Sequence, residues 1–256
     1  PIGARGGRGE FEYQWQESAN GSTGWANVGV SSLDSTYTTP TLTTGTTYYR
    51  VIARDKDKGS LLSCGSTFSS AMKVTIGATA TSGAIAGDET ICTGDVAASI
   101  TSTTDGTGSG TISYQWEEST DGGTTWTNIS GATSNTYSPG VLTQTTSYRR
   151  TTVATLNGVP CESAITSAVT KTVHQLPTFT ASPSNMTVNT DAGLPTAAVS
   201  YTATATGPTA VTLTYAITGA TTASGAGSGS GELFNIGTST VVITATTNCG
   251  AVTTTF

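Results

Sequence analysis

Apolar and polar positions alternate in short runs along most of this 256-residue chain, and no run has the 3.6-residue period of a long helix. The clearest run is Thr111 to Ser119. Ile112, Tyr114 and Trp116 fall on one face and polar residues on the other, the pattern of a half-buried strand. Around it, Ala97 to Thr104 reads as one strand, Asp105 to Gly110 as a loop, and Thr125 to Ile129 and Asn135 to Ser138 as short strands. Ser147 to Leu156 reads as a long strand, Asn157-Gly158 as a hairpin turn, and Cys161 to Val173 as the closing strand. About seven short strands in about 95 residues, with a Trp in an early central strand, make an immunoglobulin-like sandwich pattern. Beyond Pro177, Asn185 to Val188, Ala197 to Ala205, Val211 to Thr218 and Thr238 to Thr246 alternate as strands, and Thr221 to Gly231 reads as a flexible loop.

The pattern repeats. Tyr13, Gln14, Trp15 and Trp25 recur as Tyr114, Gln115, Trp116 and Trp126 at a constant offset of 101, which accounts for all four tryptophans. Tyr37, Leu42, Tyr48 and Arg50 match Tyr137, Leu142, Tyr148 and Arg150 at an offset of 100, and Cys64 matches Cys161 at 97. Drift confined to loops is how related β domains differ. Leu142 before Tyr148, and Leu42 before Tyr48, predict a tyrosine corner, in which the phenol closes a loop by bonding backbone; the alternative is an ordinary core aromatic. The expected division is residues 1–9 as a tag or disordered end, 10–78 as an N-terminally truncated first repeat, 79–175 as a second, and 176–256 as a third domain without Trp. Fold class is therefore all-β: tandem immunoglobulin-like β-sandwich domains in an elongated array.

Composition agrees and narrows the function. Thr makes up roughly a fifth of the chain, far above ordinary usage, and suits pleated, half-buried surfaces. Charged residues are 10% and net charge is −6, so nucleic acid is not an expected partner: phosphate contacts need clustered Lys and Arg, and the chain's 10 are scattered. No apolar run approaches the ~18 residues of a membrane helix.

Two family resemblances follow from particular residues. Phe234-Asn235-Ile236-Gly237, the run from Thr238 to Thr246 and Cys249-Gly250 resemble a hyalin repeat, an extracellular immunoglobulin-like module, with Ala251 to Phe256 as a shortened last strand. Ile91-Cys92-Thr93-Gly94, Ser113-Tyr114-Gln115-Trp116, Glu118-Ser119, the Gly122-Gly123 turn into Trp126 and Val159-Pro160-Cys161 resemble the tandem repeats of large surface adhesins of gliding Bacteroidetes. The resemblance implies a cell-surface, outer-membrane-associated protein mediating attachment and gliding motility. Its partners would be neighbouring repeats and extracellular surfaces or polysaccharides, with no membrane insertion and a monomeric fragment. The rival reading is an accessory or carbohydrate-binding region of a secreted polysaccharide-degrading enzyme, with Trp25 or Trp126 as an exposed platform for sugar rings; because both copies keep this Trp at strand register, core packing is expected instead. A third is a purely structural stalk.

Catalytic chemistry finds little support. Ser119-Thr120-Asp121-Gly122-Gly123-Thr124-Thr125-Trp126 fits the Asp-box of sialidases, but that motif is a hairpin device: the Asp bonds turn amides, Gly supplies positive φ and Trp packs beneath. The first repeat carries a degraded version in Ser18, Asn20, Ser22 and Trp25. Arg149 and Arg150 point to opposite faces of one strand and cannot form a sialidase arginine cluster. His174, the only histidine, reads as a solvated linker residue. Asp55, Asp57 and Gly59 begin like a calcium loop but lack the closing Glu; Asp88, Glu89 and Asp191 remain as candidates for calcium between domains, although carboxylates are sparse. No other cofactor or metal is expected, and no catalytic residue. The structural residues are Trp15, Trp25, Tyr48, Trp116, Asp121, Trp126 and Tyr148. Because first and last strands neighbour each other in such sandwiches, Cys92 is expected to pair with Cys161, or both to be buried thiols. Cys64 and Cys249 are expected to be unpaired.

Overall fold

The computed structural model describes residues 10–56 and 67–256, so the expectations for residues 1–9, for Asp57 and Gly59, and for Cys64 lie outside the described residues. The chain divides into two compact units. One takes the chain up to residue 80 with 108–112 and 154–161; the other takes 81–107, 113–153 and 162–256. Among the described residues the 23 named elements are all strands.

The first repeat comprises β1 (Phe11–Ser18), β2 (Ala26–Ser32), β3 (Gly45–Asp55), β4 (Thr67–Phe68) and β5 (Met72–Ile76), in a sheet of order β2-β1-β3-β4 with β5 also on β3. β1 and β3 are antiparallel, with Trp15 opposite Val51 and Gln16 opposite Arg50. Alternation puts Tyr13 and Trp15 inward and Gln16 outward. The Trp15 ring stacks on Tyr37 with centroids 5.9 Å apart, and Tyr37 lies 6.2 Å from Tyr49. Offset-stacked aromatics of this kind anchor small sandwich cores.

The second repeat comprises β6 (Ala84–Ala86), β7 (Glu89–Cys92), β8 (Val96–Ala97), β9 (Thr101–Thr104), β10 (Thr111–Ser119), β11 (Thr127–Asn128), β12 (Gly140–Val141), β13 (Thr146–Leu156), β14 (Val159–Glu162) and β15 (Val169–His174). Its main sheet runs β11-β10-β13-β15-β7 with β14 on β13, and two small pairs, β6–β9 and β8–β12, supply the other layer. β7 runs parallel to β15, as a first strand lying beside the last. Between the layers sit Ile100, Trp116, Tyr148 and Val169, all at most 3% exposed, with Ile85, Ile129, Ala132 and Tyr137 packed on them. Full burial of a side chain such as Ile100 contributes about 2–3 kcal/mol. This is an immunoglobulin-like sandwich.

Several boundaries differ from the alternation. Ala97 to Thr104 is two strands joined through the Ile100–Tyr137 bridge, because the chain passes from β12 to β6 as partner. Cys161 to Val173 is also two: Cys161 lies in β14, the hairpin partner of β13, and β15 starts only at Val169. The equivalence of the repeats shifts as well. Tyr137 packs on Tyr148 (5.5 Å) as Tyr37 packs on Tyr49, so Tyr49, 2% exposed, is the counterpart of Tyr148, at an offset of 99. Tyr48 is displaced from the expected role: its ring lies against Gly21, where any Cβ would sit 2.5 Å from Cδ1. Leu142, for its part, packs with Ala97 and Val173 in a separate small cluster.

The C-terminal module comprises β16 (Thr178–Ala181), β17 (Thr196–Ala198), β18 (Thr204–Thr206), β19 (Thr212–Gly219), β20 (Ala223–Ala226), β21 (Leu233–Asn235), β22 (Ser239–Thr247) and β23 (Gly250–Thr255). Its main sheet is β20-β19-β22-β23, beside the pairs β16–β18 and β17–β21. Ala203, Ile217, Val241 and Ile243 form the core, packed by Phe179, Tyr201, Leu213, Tyr215, Phe234 and Phe256. Asn185 to Val188 is not a strand, and the run from Ala197 to Ala205 splits between two partners. The Gly/Ser stretch expected to be a loop contributes β20, which pairs with β19.

The disulfide joins Cys92 to Cys249, correcting both the expected Cys92–Cys161 pair and the expectation of an unpaired Cys249; Cys161 is a free, exposed thiol. The reason is topological. Cys92 ends β7, opposite His174, while Cys161 stands on the β14 hairpin rather than in the last strand. Cys249 occupies the tight turn between β22 and β23. The bridge spans 157 residues of sequence, a closure that lowers unfolded-chain entropy by about 5 kcal/mol in the loop model.

Candidate functional site

The residues the two repeats share converge on one assembly: a side-chain-capped turn, a tryptophan after it, and an arginine on the neighbouring strand. In the second repeat β10 ends at Ser119 and the chain turns at once. Asp121 Oδ1 accepts from Ser119 Oγ (2.7 Å), Thr124 N (3.0 Å) and Thr125 N (2.9 Å), and Oδ2 accepts from Thr125 Oγ1 (2.6 Å). Gly123 N donates to Ser119 Oγ at 2.9 Å, and Gly122 and Gly123 hold positive φ. The Thr125 hydroxyl and amide, with Ser119, hold the Asp121 carboxyl well below the usual carboxylate range. A carboxylate so engaged is a turn cap, not a general acid or base. Trp126 Nε1 closes the turn by donating to Gly123 O at 2.9 Å.

The first repeat builds the same turn from an amide. Asn20 Oδ1 accepts from Ser18 Oγ (3.2 Å), Ser22 N (2.9 Å) and Thr23 N (2.8 Å). One oxygen does what a carboxylate does in the second copy, so the altered sequence keeps the geometry.

Trp25 and Trp126 are half-buried, not core residues as the alternation led us to expect. Each is covered by the outward arginine of the long strand: Arg149 lies 4.1 Å over the Trp126 ring and Arg50 lies 4.1 Å over Trp25. Contacts of this kind contribute about 0.5–1 kcal/mol at exposed sites. Arg50, not paired with Arg150 as the offset of 100 suggested, is thus the counterpart of Arg149. The two differ in their neighbours. Arg149 Nε donates to Glu117 Oε2 at 2.6 Å, an ion pair. Arg50 Nε donates to the neutral Gln16 Oε1 at 2.9 Å, and a second ring, Phe68, lies 4.2 Å on.

Arg150 faces inward and is fully buried. Its Nη1 donates to Asn135 O (2.6 Å) and Ser102 Oγ (3.1 Å), its guanidinium lies 4.2 Å over Tyr114, and Nε has no partner. Burial pulls its pKa down from the ordinary value. Lys171, 1% exposed, reaches Glu89 Oε2 at 2.9 Å. Neither burial was visible in the alternation, which says that Arg149 and Arg150 face apart but not which one is covered; the polar residue in the Val169–Lys171–Val173 alternation was the available signal for Lys171.

The remaining expected site residues are accounted for. Trp116, fully buried, donates Nε1 to Ser134 O at 2.8 Å. Trp15 is half-buried and its Nε1 is unpartnered. Tyr148 is buried, and burial pushes its hydroxyl up to about 12. His174 is not a solvated linker residue: it ends β15, half-buried, with Nδ1 closed off and unpartnered. The calcium candidates are each turned to backbone. Asp88 accepts from Thr170 N, Glu89 from Ala98 N and Asp191 from Ala198 N. Among the described residues no three His, Cys, Asp or Glu gather around one point. A groove of about 720 Å³ in the C-terminal module is lined by Met186, Val188, Phe234, Ile236 and Phe256 among others, with no ionisable side chain.

These features define tandem immunoglobulin-like sandwich repeats with a shared turn–Trp–Arg assembly. The chain belongs to the family described as the domain of unknown function DUF8696, whose model matches twice, over residues 1–78 and 81–175. No curated protein matches it. Among solved structures it is similar to the FN1–FN3 domains of chicken CNTN1, at 10% identity over 96% of this chain and 88% of that one, with a TM-score of 0.25, too low to bear on fold or function.

Proposed function

We propose that the chain is a non-catalytic stretch of a cell-surface repeat array that serves adhesion. The observation that carries this is the duplicated turn–Trp–Arg assembly: both copies commit their most chemically conspicuous groups to holding a turn and covering an indole. Repeating a self-sufficient sandwich multiplies surface, and many weak contacts then act together. The resemblance to gliding Bacteroidetes adhesins, and of the C-terminal module to hyalin repeats, supports placing such an array outside the cell, at the outer-membrane surface, in attachment and gliding.

The test is attachment. Beads coated with the 256-residue chain should be retained on polysaccharide-coated glass under flow more than beads coated with a heat-unfolded sample; equal retention would sink the adhesive role and leave a structural stalk. The second reading, accessory domains of a polysaccharide-degrading enzyme, is favoured by Phe68, 47% exposed beside the Trp25–Arg50 stack. A catalytic domain encoded in the same open reading frame would decide for it.

A further inference from the structure

We infer that the outer face of the first repeat carries an anion site, built on Arg50 and Lys73, that takes the carboxylate of a uronate-bearing polysaccharide. It rests on the adhesive reading for its biological setting, but its geometry stands alone.

Arg50 lies between two rings, Trp25 at 4.1 Å and Phe68 at 4.2 Å, and its Nε is held by Gln16 Oε1, which is itself fixed by donation from Gln16 Nε2 to Asn27 Oδ1 at 2.9 Å. Among the described residues its two terminal nitrogens have no partner and no acid pairs with it. Rings on the faces and a held Nε leave the Nη edge as the free one, in the fork geometry that a carboxylate accepts in two parallel bonds. Lys73 is exposed and stands opposite Tyr48, so it shares Arg50's face one strand away. Such diagonal neighbours are roughly 7–8 Å apart. Lys73 also has no acidic partner among the described residues. The acid on this face of β1, Glu12, is already bonded to Arg54 at 2.5 Å and to Ser31.

The second repeat shows what cancels such a site. Glu117 replaces Gln16 and pairs with Arg149, and Thr170, opposite Ser147, takes the place of Lys73. Two unmatched positive charges in one copy become none in the other. In a chain of net charge −6, an unneutralised, ring-flanked arginine beside a lysine marks a local exception. A uronate fits better than an acidic peptide because it puts one carboxylate next to an apolar ring face, which the half-exposed Phe68 and Trp25 can meet.

The experiment is calorimetric titration of the 256-residue chain with trigalacturonate, with neutral galactotriose and hexaglutamate as comparisons. Trigalacturonate should bind and galactotriose should not. Gln16→Glu, which installs the second repeat's own counter-ion and gives up only the exposed donation to Asn27 Oδ1, should weaken binding by about tenfold or more, and Lys73→Gln by about threefold, while the circular dichroism melt shows the protein still folded. No heat with trigalacturonate, unchanged affinity in a folded Gln16→Glu, or tighter binding of hexaglutamate would each overturn the site. Bead retention without trigalacturonate binding removes the site and leaves the adhesive reading; trigalacturonate binding without retention does the reverse.

Discussion

The two repeats solve one folding problem with different charges. Both stack a strand arginine on a tryptophan, and both cap the turn before it with a side-chain oxygen. In the interior they part. Where the first repeat has Val51 and Val74 on β3 and β5, the second has Arg150 and Lys171 on β13 and β15. A buried cation persists only with partners. Lys171 has one because β7 lies beside β15 and brings Glu89; among the described residues the first repeat has no strand in that position, and an apolar residue stands there instead. On the outer face the balance reverses: the second repeat neutralises its arginine through Glu117, whereas among the described residues no acid pairs with Arg50. Burial of a cation is thus decided by which neighbouring strand is present, and its neutralisation on the outer face by one position of the repeat motif, Gln16 or Glu117.

The comparison can be broken at several points. The largest effect is expected at Arg150. Arg150→Ala strips four acceptors of their donor and opens the space beside Tyr114 and Trp116, costing about 3–5 kcal/mol in urea unfolding, whereas Val51→Ala in the first repeat should cost about 1–2. Next comes the bridge. Cys249→Ser should lower stability by about 2–4 kcal/mol. In the unaltered protein, non-reducing peptide mapping should recover a Cys92–Cys249 peptide, with Cys161 alkylated before reduction; a Cys92–Cys161 peptide would contradict the topology drawn for β14 and β15.

Smaller effects separate the turns. Asp121 has a folded pKa below its unfolded value, so it adds stability that is fully present above about pH 4 and is lost as the pH falls below that. Asn20 does not titrate. Asp121→Asn should therefore reduce the drop in melting temperature between pH 7 and pH 3, and Asn20→Asp should enlarge it. The smallest effect is a gain: Glu117→Gln with Thr170→Lys should give the second repeat weak trigalacturonate binding, read as added heat in the same titration.

Much of this was legible in the chain. Thr111 to Ser119 was predicted with the bounds of β10, because a half-buried strand writes its two faces into alternate residues. Asn157-Gly158 marked the β13–β14 turn for a local reason, the positive φ both residues adopt there. Other features depend on which segments meet. An offset of 100 or 99 between Tyr48, Tyr49 and Tyr148 differs by one loop residue, and only the ring contact with Tyr37 selects Tyr49. Trp25 and Trp126 looked like core because both copies keep the residue at strand register; an arginine over each ring covers them at the surface.

By itself the sequence determined the all-β class, the duplicated unit and the turn chemistry, since alternation, repetition and φ preferences are properties of neighbouring residues. The Cys92–Cys249 bridge, the burial of Arg150 and Lys171 and the setting of Arg50 between Trp25, Phe68 and Gln16 were decided only by the tertiary structure, because each depends on residues far apart in the chain that strand pairing brings together.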